Sequence, residues 1–241
     1  MCTLAFAWQV FDDGFAAAAT REEAYGRPSS TPAYRAGPPA VLCPRDERAG
    51  GTWFGVNEHG LFAAVTNRPA DVEGERSRGL LVRDALARPN VAAASETVET
   101  SLETEQYAGF NLVLADAGWG GRDTDESDGR PECVLFTHDG TLTAHALDPG
   151  VHVVVNDGFD GETAKSKRVR AALDPGEGEH ATAWRRRAGE RLGDHELGAC
   201  IHGENGGTVS ASLLSVTDEA TYEFASGPPC ETAFETVEGH F

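Results

Sequence analysis

Lysine is almost missing from this chain: of its 20 basic residues only Lys165 and Lys167 are lysines, against 39 acidic residues. The formal net charge of −19 excludes electrostatic capture of nucleic acid or of an anionic membrane, because such a surface repels both. Carboxylates scattered in this excess, with arginine in place of lysine, match the solvation of a halophilic cytoplasmic protein, whose self-repulsion is screened by salt. Long hydrophobic runs are also lacking. Nothing approaches the ~18 apolar residues of a membrane span, and no basic leader precedes an apolar stretch, so neither a span nor a secretory signal is expected. The five cysteines, at 2, 43, 133, 200 and 230, include no Cys-x-x-Cys pair. An odd, dispersed set points to reduced thiols and a cytoplasmic location. The eight histidines form no His-x-x-x-His or comparable ligand pair, so no metal is expected. Gly118-Trp119-Gly120-Gly121 lacks the lysine and helix of a phosphate loop and reads as a flexible loop, and no cofactor is expected.

What the chain does have is enough apolar residue, 40% of 241, to bury a core, and its length suits a single domain over 1–241. Cys2 to Val10 reads as a strand covered on both faces, Asp12-Asp13-Gly14 as a turn, and Phe15 to Thr20 as the returning strand. Residues 26–40, rich in proline and serine, read as a loop. A second hairpin runs from Gly51 to Asn67 around Asn57-Glu58-His59-Gly60. Helices are predicted over Ser77 to Arg88 and on to about Gln106, then over 163–173 and 180–192, with Arg185-Arg186-Arg187 as a solvated helix face. Strands are predicted at Phe110 to Ala115, Cys133 to Thr137, Thr141 to Leu147, His152 to Asn156, Thr208 to Val216 and Thr221 to Ala225, with a Gly/Asp-rich loop from Asp116 to Arg130. This order lacks the regular alternation of a parallel α/β sheet and fits an α+β fold of mostly antiparallel sheets with segregated helices.

Cys2 is the residue best placed for chemistry. A small side chain at position 2 permits removal of the initiator methionine, which leaves thiol and α-amine on one residue. An amine titrating near ~7.7–8.0 can take the proton of a thiol titrating near ~8.5, and the thiolate can then attack a carbonyl. Cys2 also reads as a small buried hydrophobe beginning a strand.

The residues that follow carry a resemblance. Met1-Cys2, Thr20-Arg21-Glu22-Glu23, Arg27-Pro28 and Gly50-Gly51-Thr52-Trp53-Phe54-Gly55, followed by Gly60 to Asn67, match in order the motifs of the NRDE-domain family, also called the Transport and Golgi organization 2 family. The likeness covers the first ~70 residues closely. That family in turn resembles the cysteine N-terminal-nucleophile hydrolases, such as penicillin V acylase and bile salt hydrolase. The resemblance implies a four-layer αββα sandwich, a catalytic Cys2, Arg21 beside the nucleophile, and Asn67 and Asn156 at an oxyanion hole. Trp53, Glu22 and Glu23 would line the substrate site. A guanidinium near a thiol lowers its pKa, and an amide aimed at a developing oxyanion stabilises it. Each residue also has an ordinary structural reading: Arg21 as partner of Glu22 or Glu23, Asn67 as a turn cap before Arg68-Pro69, Asn156-Asp157-Gly158 as a turn. Two departures stand out. Thr20 replaces the asparagine of the name-giving motif and Glu22 its aspartate, and Gly203 to Thr208 lacks the arginine that members often carry there.

Two functions remain open on this reading. One is an amidohydrolase cleaving a linear amide of unknown identity through a Cys2 acyl-enzyme. The other is a non-catalytic carrier on the same fold, because the family has been connected with haem trafficking and with lipid or acyl-CoA homeostasis. Either way the expected partner is a small-molecule ligand (amide, acyl chain or haem), and the oligomeric state is not legible.

Overall fold

The computed structural model describes residues 2–118, 132–239 and 241. In chain order the elements are β1 (Thr3–Phe11), β2 (Gly14–Ala24), β3 (Ser29–Arg35), β4 (Val41–Asp46), β5 (Phe54–Asn57), β6 (Leu61–Asn67), α1 (Arg78–Leu86), α2 (Val91–Thr104), β7 (Phe110–Asp116), β8 (Cys133–His138), β9 (Leu142–Ala146), β10 (Gly150–Val155), β11 (Gly158–Phe159), α3 (Ala164–Ala172), α4 (Ala181–Leu192), β12 (Gly206–Val216), β13 (Ala220–Ala225) and β14 (Glu235–Thr236). They form two compact units. The first comprises Met1–Arg27 with Pro149–Glu238, the second Pro28–Asp148 with Gly239–Phe241. Among the described residues each contains one seven-stranded antiparallel sheet and two α-helices. No helix among the described residues is long and apolar enough to cross a membrane.

The sheet of the first unit runs β11-β10-β1-β2-β12-β13-β14. Alternation along β1 and β2 sends Ala5, Ala7, Ala16 and Ala18 to the face covered by α3 and α4, where they pack with Val169, Leu173, Trp184 and Leu192. Such small side chains let the helices approach closely. The Trp184 indole donates to the Leu173 carbonyl at 2.8 Å, so its one polar atom is satisfied inside the core. Leu4, Phe6 and Phe15 lie on the opposite face and are also buried. The expected solvated arginine face of α4 needs correction. Arg185 is buried, donating to Ser215 Oγ at 3.0 Å and pairing with Glu223 at 3.0 Å, and Arg187 holds Glu179 and the Ala172 carbonyl. Only Arg186 of the three is exposed.

The second sheet runs β3-β4-β5-β6-β7-β8-β9 in strict sequence order. Leu81, Val82, Leu86, Val91 and Val98 of α1 and α2 pack on Leu61, Phe110, Leu112, Leu114 and Phe136. Ser77 and Asn90 cap the two helices with side-chain oxygens that accept from Gly79 and Ala93 N–H. The Gly-Gly-Thr-Trp segment has a steric cause: a Cβ on Gly51 would stand 2.2 Å from the Gly79 carbonyl carbon, where Thr52 N–H donates to the Gly79 carbonyl at 2.9 Å. Residues 26–40 are not one loop, because β3 occupies Ser29–Arg35. Its Pro32 is tolerated on an edge strand whose register slips between Ser30 and Ala33. Most of the predicted Asp116 to Arg130 loop, with Trp119, Gly120 and Gly121, lies outside the described residues.

Candidate functional site

Strand register builds the site. Thr3 opens β1 and pairs with Thr20 of β2 on one side and Val155 of β10 on the other. One step further along each strand stand Cys2, Arg21 and Asn156, which therefore share one end of the first unit's sheet. On β12, Thr208 pairs with Glu22 and Ser210 with Arg21, so Val209 is an extra residue, a bulge. Because of it, Thr208 follows Thr20 and Glu22 onto the helix-covered face, whereas Ser210 follows Arg21 onto the face that carries Leu4 and Phe6.

Cys2 is half-buried, and its thiol donates to the Glu22 carbonyl oxygen at 3.9 Å. Arg21 and Glu22 are buried at 7% and 9% exposure, uncommon for charged side chains and so in need of partners. Arg21 lies 3.7 Å from the Glu23 carboxylate, which stands at the same distance from Arg27. The Glu22 carboxylate accepts from Thr20 Oγ1 at 2.8 Å and from Thr208 Oγ1 at 3.4 Å. Thr20 thus gives Glu22 a hydroxyl donor at the position of the family's asparagine. Thr208 Oγ1 also accepts from Ile201 N–H at 3.0 Å, so its hydroxyl bridges backbone and carboxylate.

The electrostatics follow from burial. Desolvation pushes the Cys2 thiol up to about 11 in the chain with Met1 in place; the Glu22 carboxylate adds to the rise, and the terminal ammonium and Arg21 oppose it. Burial likewise raises Glu22 above its ordinary value, against the pull of the terminal ammonium and Lys165. Lys165, near the start of α3, is lowered by burial and held up by Glu22, Cys2 and Asp157. A thiol, a carboxylate and an amine therefore interact at one place, the arrangement from which proton transfer is built.

Sequence reasoning missed Lys165, although a signal was present: a lysine kept in a chain that uses arginine nearly everywhere else. It also missed the hydroxyls of Thr20 and Thr208 as the partners of Glu22. Cys2, Arg21, Glu22 and Asn156 come together in the first unit, with Glu23 beside Arg21. Trp53 and Asn67 belong to the second unit. Trp53 is half-buried and its carbonyl accepts from Val65 N–H at 2.9 Å; Asn67 ends β6, exposed, opposite Phe110.

A family model described as Transport and Golgi organisation 2 matches residues 1–188. The mouse Transport and Golgi organization 2 homolog is 35% identical over 104 residues, 41% of this chain and 37% of that protein. The human Transport and Golgi organization protein 2 homolog is 36% identical over the same length and shares. The match thus spans little more than a third of these relatives. Among solved structures, penicillin V acylase from Agrobacterium tumefaciens superposes with a TM-score of 0.58 at 14% identity, covering 92% of this chain and 82% of that one. A Caenorhabditis elegans orthologue of N-acylethanolamine-hydrolyzing acid amidase gives 0.56 at 12% identity, covering 88% and 92%. A mutant of conjugated bile acid hydrolase from Clostridium perfringens gives 0.54 at 12% identity, covering 99% and 97%. At such identities the likeness shows the fold: α+β, the αββα class of the N-terminal-nucleophile hydrolases.

Proposed function

This chain belongs to the Transport and Golgi organisation 2 family, and from that premise we propose that it is a cytoplasmic N-terminal-nucleophile amidohydrolase, acting as a single domain over 1–241 on a linear amide through Cys2 once Met1 is removed. The observation that carries the reading is the register that sets Arg21 of β2 and Asn156, just past β10, on either side of Cys2, just before β1. The solved neighbours add support, since the names of all three describe acylases, amidases or hydrolases.

In this proposal the freed α-amine of Cys2 takes the thiol proton, and the thiolate attacks the amide carbonyl carbon. A C–S bond forms and the carbonyl oxygen becomes an oxyanion, for which Asn156 is the proposed donor. Collapse breaks the C–N bond, and the leaving amine takes the proton from the α-ammonium. Water then adds to the thioester, gives its proton back through the amine, and releases the acid and the thiol. Arg21 favours the thiolate. Glu22, already within the field of the chain terminus, holds the α-ammonium in place, and Glu23 borders the substrate.

Intact-protein mass spectrometry and a panel of aryl and acyl amides test this. The mature chain should lack Met1, form an acyl adduct on Cys2, lose most turnover as Cys2→Ser and all of it as Cys2→Ala. Retention of Met1, with no adduct from any amide, overturns the hydrolase. One observation favours the second reading, a carrier of haem or an acyl chain: a thiol at about 11 is a poor nucleophile as long as Met1 stays. A carrier draws its affinity from apolar area, so Cys2→Ala should weaken haem or acyl-chain binding by no more than about tenfold.

A further inference from the structure

Elsewhere in the first unit the fold gathers four donors that the sequence disperses. After α4 the chain makes a short 3-10 helix, His195–Leu197, and reverses at Gly198, whose φ of 69° suits glycine. Cys200 and His202 follow on a segment fastened to the start of β12, by the His202–Gly207 bridge and by Thr208 N–H donating to the Ile201 carbonyl at 2.8 Å. Cys230 comes from the turn after β13, closed by Glu231 and Thr232 N–H groups donating to the Pro228 carbonyl. One ligand atom from each of His195, Cys200, His202 and Cys230 lies within 4.8 Å of all the others.

The distances fit a metal tetrahedron. Sγ of Cys200 and Cys230 are 3.4 Å apart, and His202 Nε2 lies 3.2 Å from Cys230 Sγ and 3.9 Å from Cys200 Sγ. Zinc bonds of ~2.3 Å to sulfur and ~2.0–2.1 Å to nitrogen give ligand-to-ligand edges of about 3.3–3.8 Å. Both cysteines are free thiols, and 3.4 Å is well beyond the ~2.05 Å of a disulfide bond. We propose that His195, Cys200, His202 and Cys230 bind one Zn²⁺ in a Cys₂His₂ site. A mixed sulfur and imidazole set selects zinc over magnesium or calcium, and four protein ligands leave no open position, so the ion is structural. It joins the segment entering β12 to the turn leaving β13, clasping the open end of that hairpin. The expectation of no metal, drawn from spacing alone, is revised because the ligands are separated by 5, 2 and 28 positions and only the tertiary fold unites them.

The site is independent of the amidohydrolase reading and can be tested without activity. The full chain, reduced and reconstituted with Zn²⁺ or Co²⁺ alone, should retain about one metal per chain by elemental mass spectrometry. The cobalt form should show the intense visible bands of a tetrahedral ion and a thiolate charge-transfer band. Cys230→Ser and His202→Ala should each weaken Co²⁺ binding by more than about tenfold, since even partners of ligands cost that much. His202→Cys, which keeps a donor, should retain the metal with a stronger charge-transfer band, and Cys2→Ala should leave the spectrum unchanged. No retained metal, an octahedral cobalt spectrum, or a Cys200–Cys230 disulfide in protein isolated under thiol-blocking conditions would each overturn the proposal.

Discussion

In the second unit, the buried Asn57 and Asp46 side chains serve the backbone around them. Asn57 donates to the Leu86 and Arg88 carbonyls and accepts from His59 and Leu61 N–H; Asp46 accepts from Arg48 and Ala49 N–H. In the first unit, Arg21, Glu22, Asn156, Thr208 and Ser210 collect at one end of a sheet, and Glu22 and nearby Lys165 are displaced from their ordinary titration by burial. Two sheets of equal strand number thus carry burial differently. One uses Asn57 and Asp46 to close turns, and the other bears the electrostatic cost of buried charge in two places, around Glu22 and at Arg185. Such a cost is usual where charge is needed for chemistry.

Removing the turn-closing amide should show the scaffold role most strongly. Asn57→Ala deletes four hydrogen bonds at a fully buried position and should cost about 3–4 kcal/mol by denaturant unfolding, without changing the rate at which Cys2 is alkylated in the folded protein. A change in that rate would mean that the contrast between the units is false. Arg185→Ala, which abandons Glu223 and two oxygen acceptors, should cost about 3 kcal/mol, near the low end for a buried pair because Glu223 is partly exposed. Arg185→Met should recover part of the loss.

Thiol labelling sharpens the comparison next. In a chain that keeps Met1, alkylation of Cys2 should rise about tenfold per pH unit until the thiol titrates at about 11. In the processed chain, Cys2 should react at neutral pH roughly 10²-fold faster than Cys43 and Cys133, both buried in the second unit. Equal labelling of the three would erase the distinction. The smallest effect concerns Glu22. A carboxylate whose folded pKa is raised makes the folded state bind more protons than the unfolded one, so its contribution weakens stability as pH climbs from 4.5 through the folded value. Glu22→Gln should therefore gain stability relative to the parent as pH rises through that window, measured as unfolding midpoints at acid and neutral pH. An unchanged difference would show that Glu22 is not desolvated.

The sequence revealed most where periodicity or sterics act locally. β1, the β5–β6 hairpin and all four α-helices were legible because their apolar patterns and caps are written in consecutive residues. β3 was hidden because Pro32 reads as a loop signal, although an edge strand with a register slip accommodates it. Arg185 read as solvent-facing because three arginines in a row carry no mark of which one turns inward. At the site, Cys2, Arg21 and Asn156 were reached by motif, and their adjacency became visible only through strand register. Lys165, Thr208 and the His195–Cys230 group depend on contacts between distant segments, which spacing does not encode.

The extra residue at Val209 has a consequence for how this region can vary. It works as a phase shift: positions up to 208 and positions from 210 onward answer to different sides of the sheet, so the surroundings of Glu22 and of Arg21 can be altered independently. Length at this point can therefore fall by one residue without disturbing either side. Val209→Ala should fold, and so should deletion of Val209, which makes Thr208 and Ser210 consecutive, alternating residues still opposite Glu22 and Arg21; deletion of Ser212, inside the regular ladder, would instead turn one segment of the strand inside out. Soluble expression of both Val209 variants, and loss of soluble protein on deletion of Ser212, is the expected outcome.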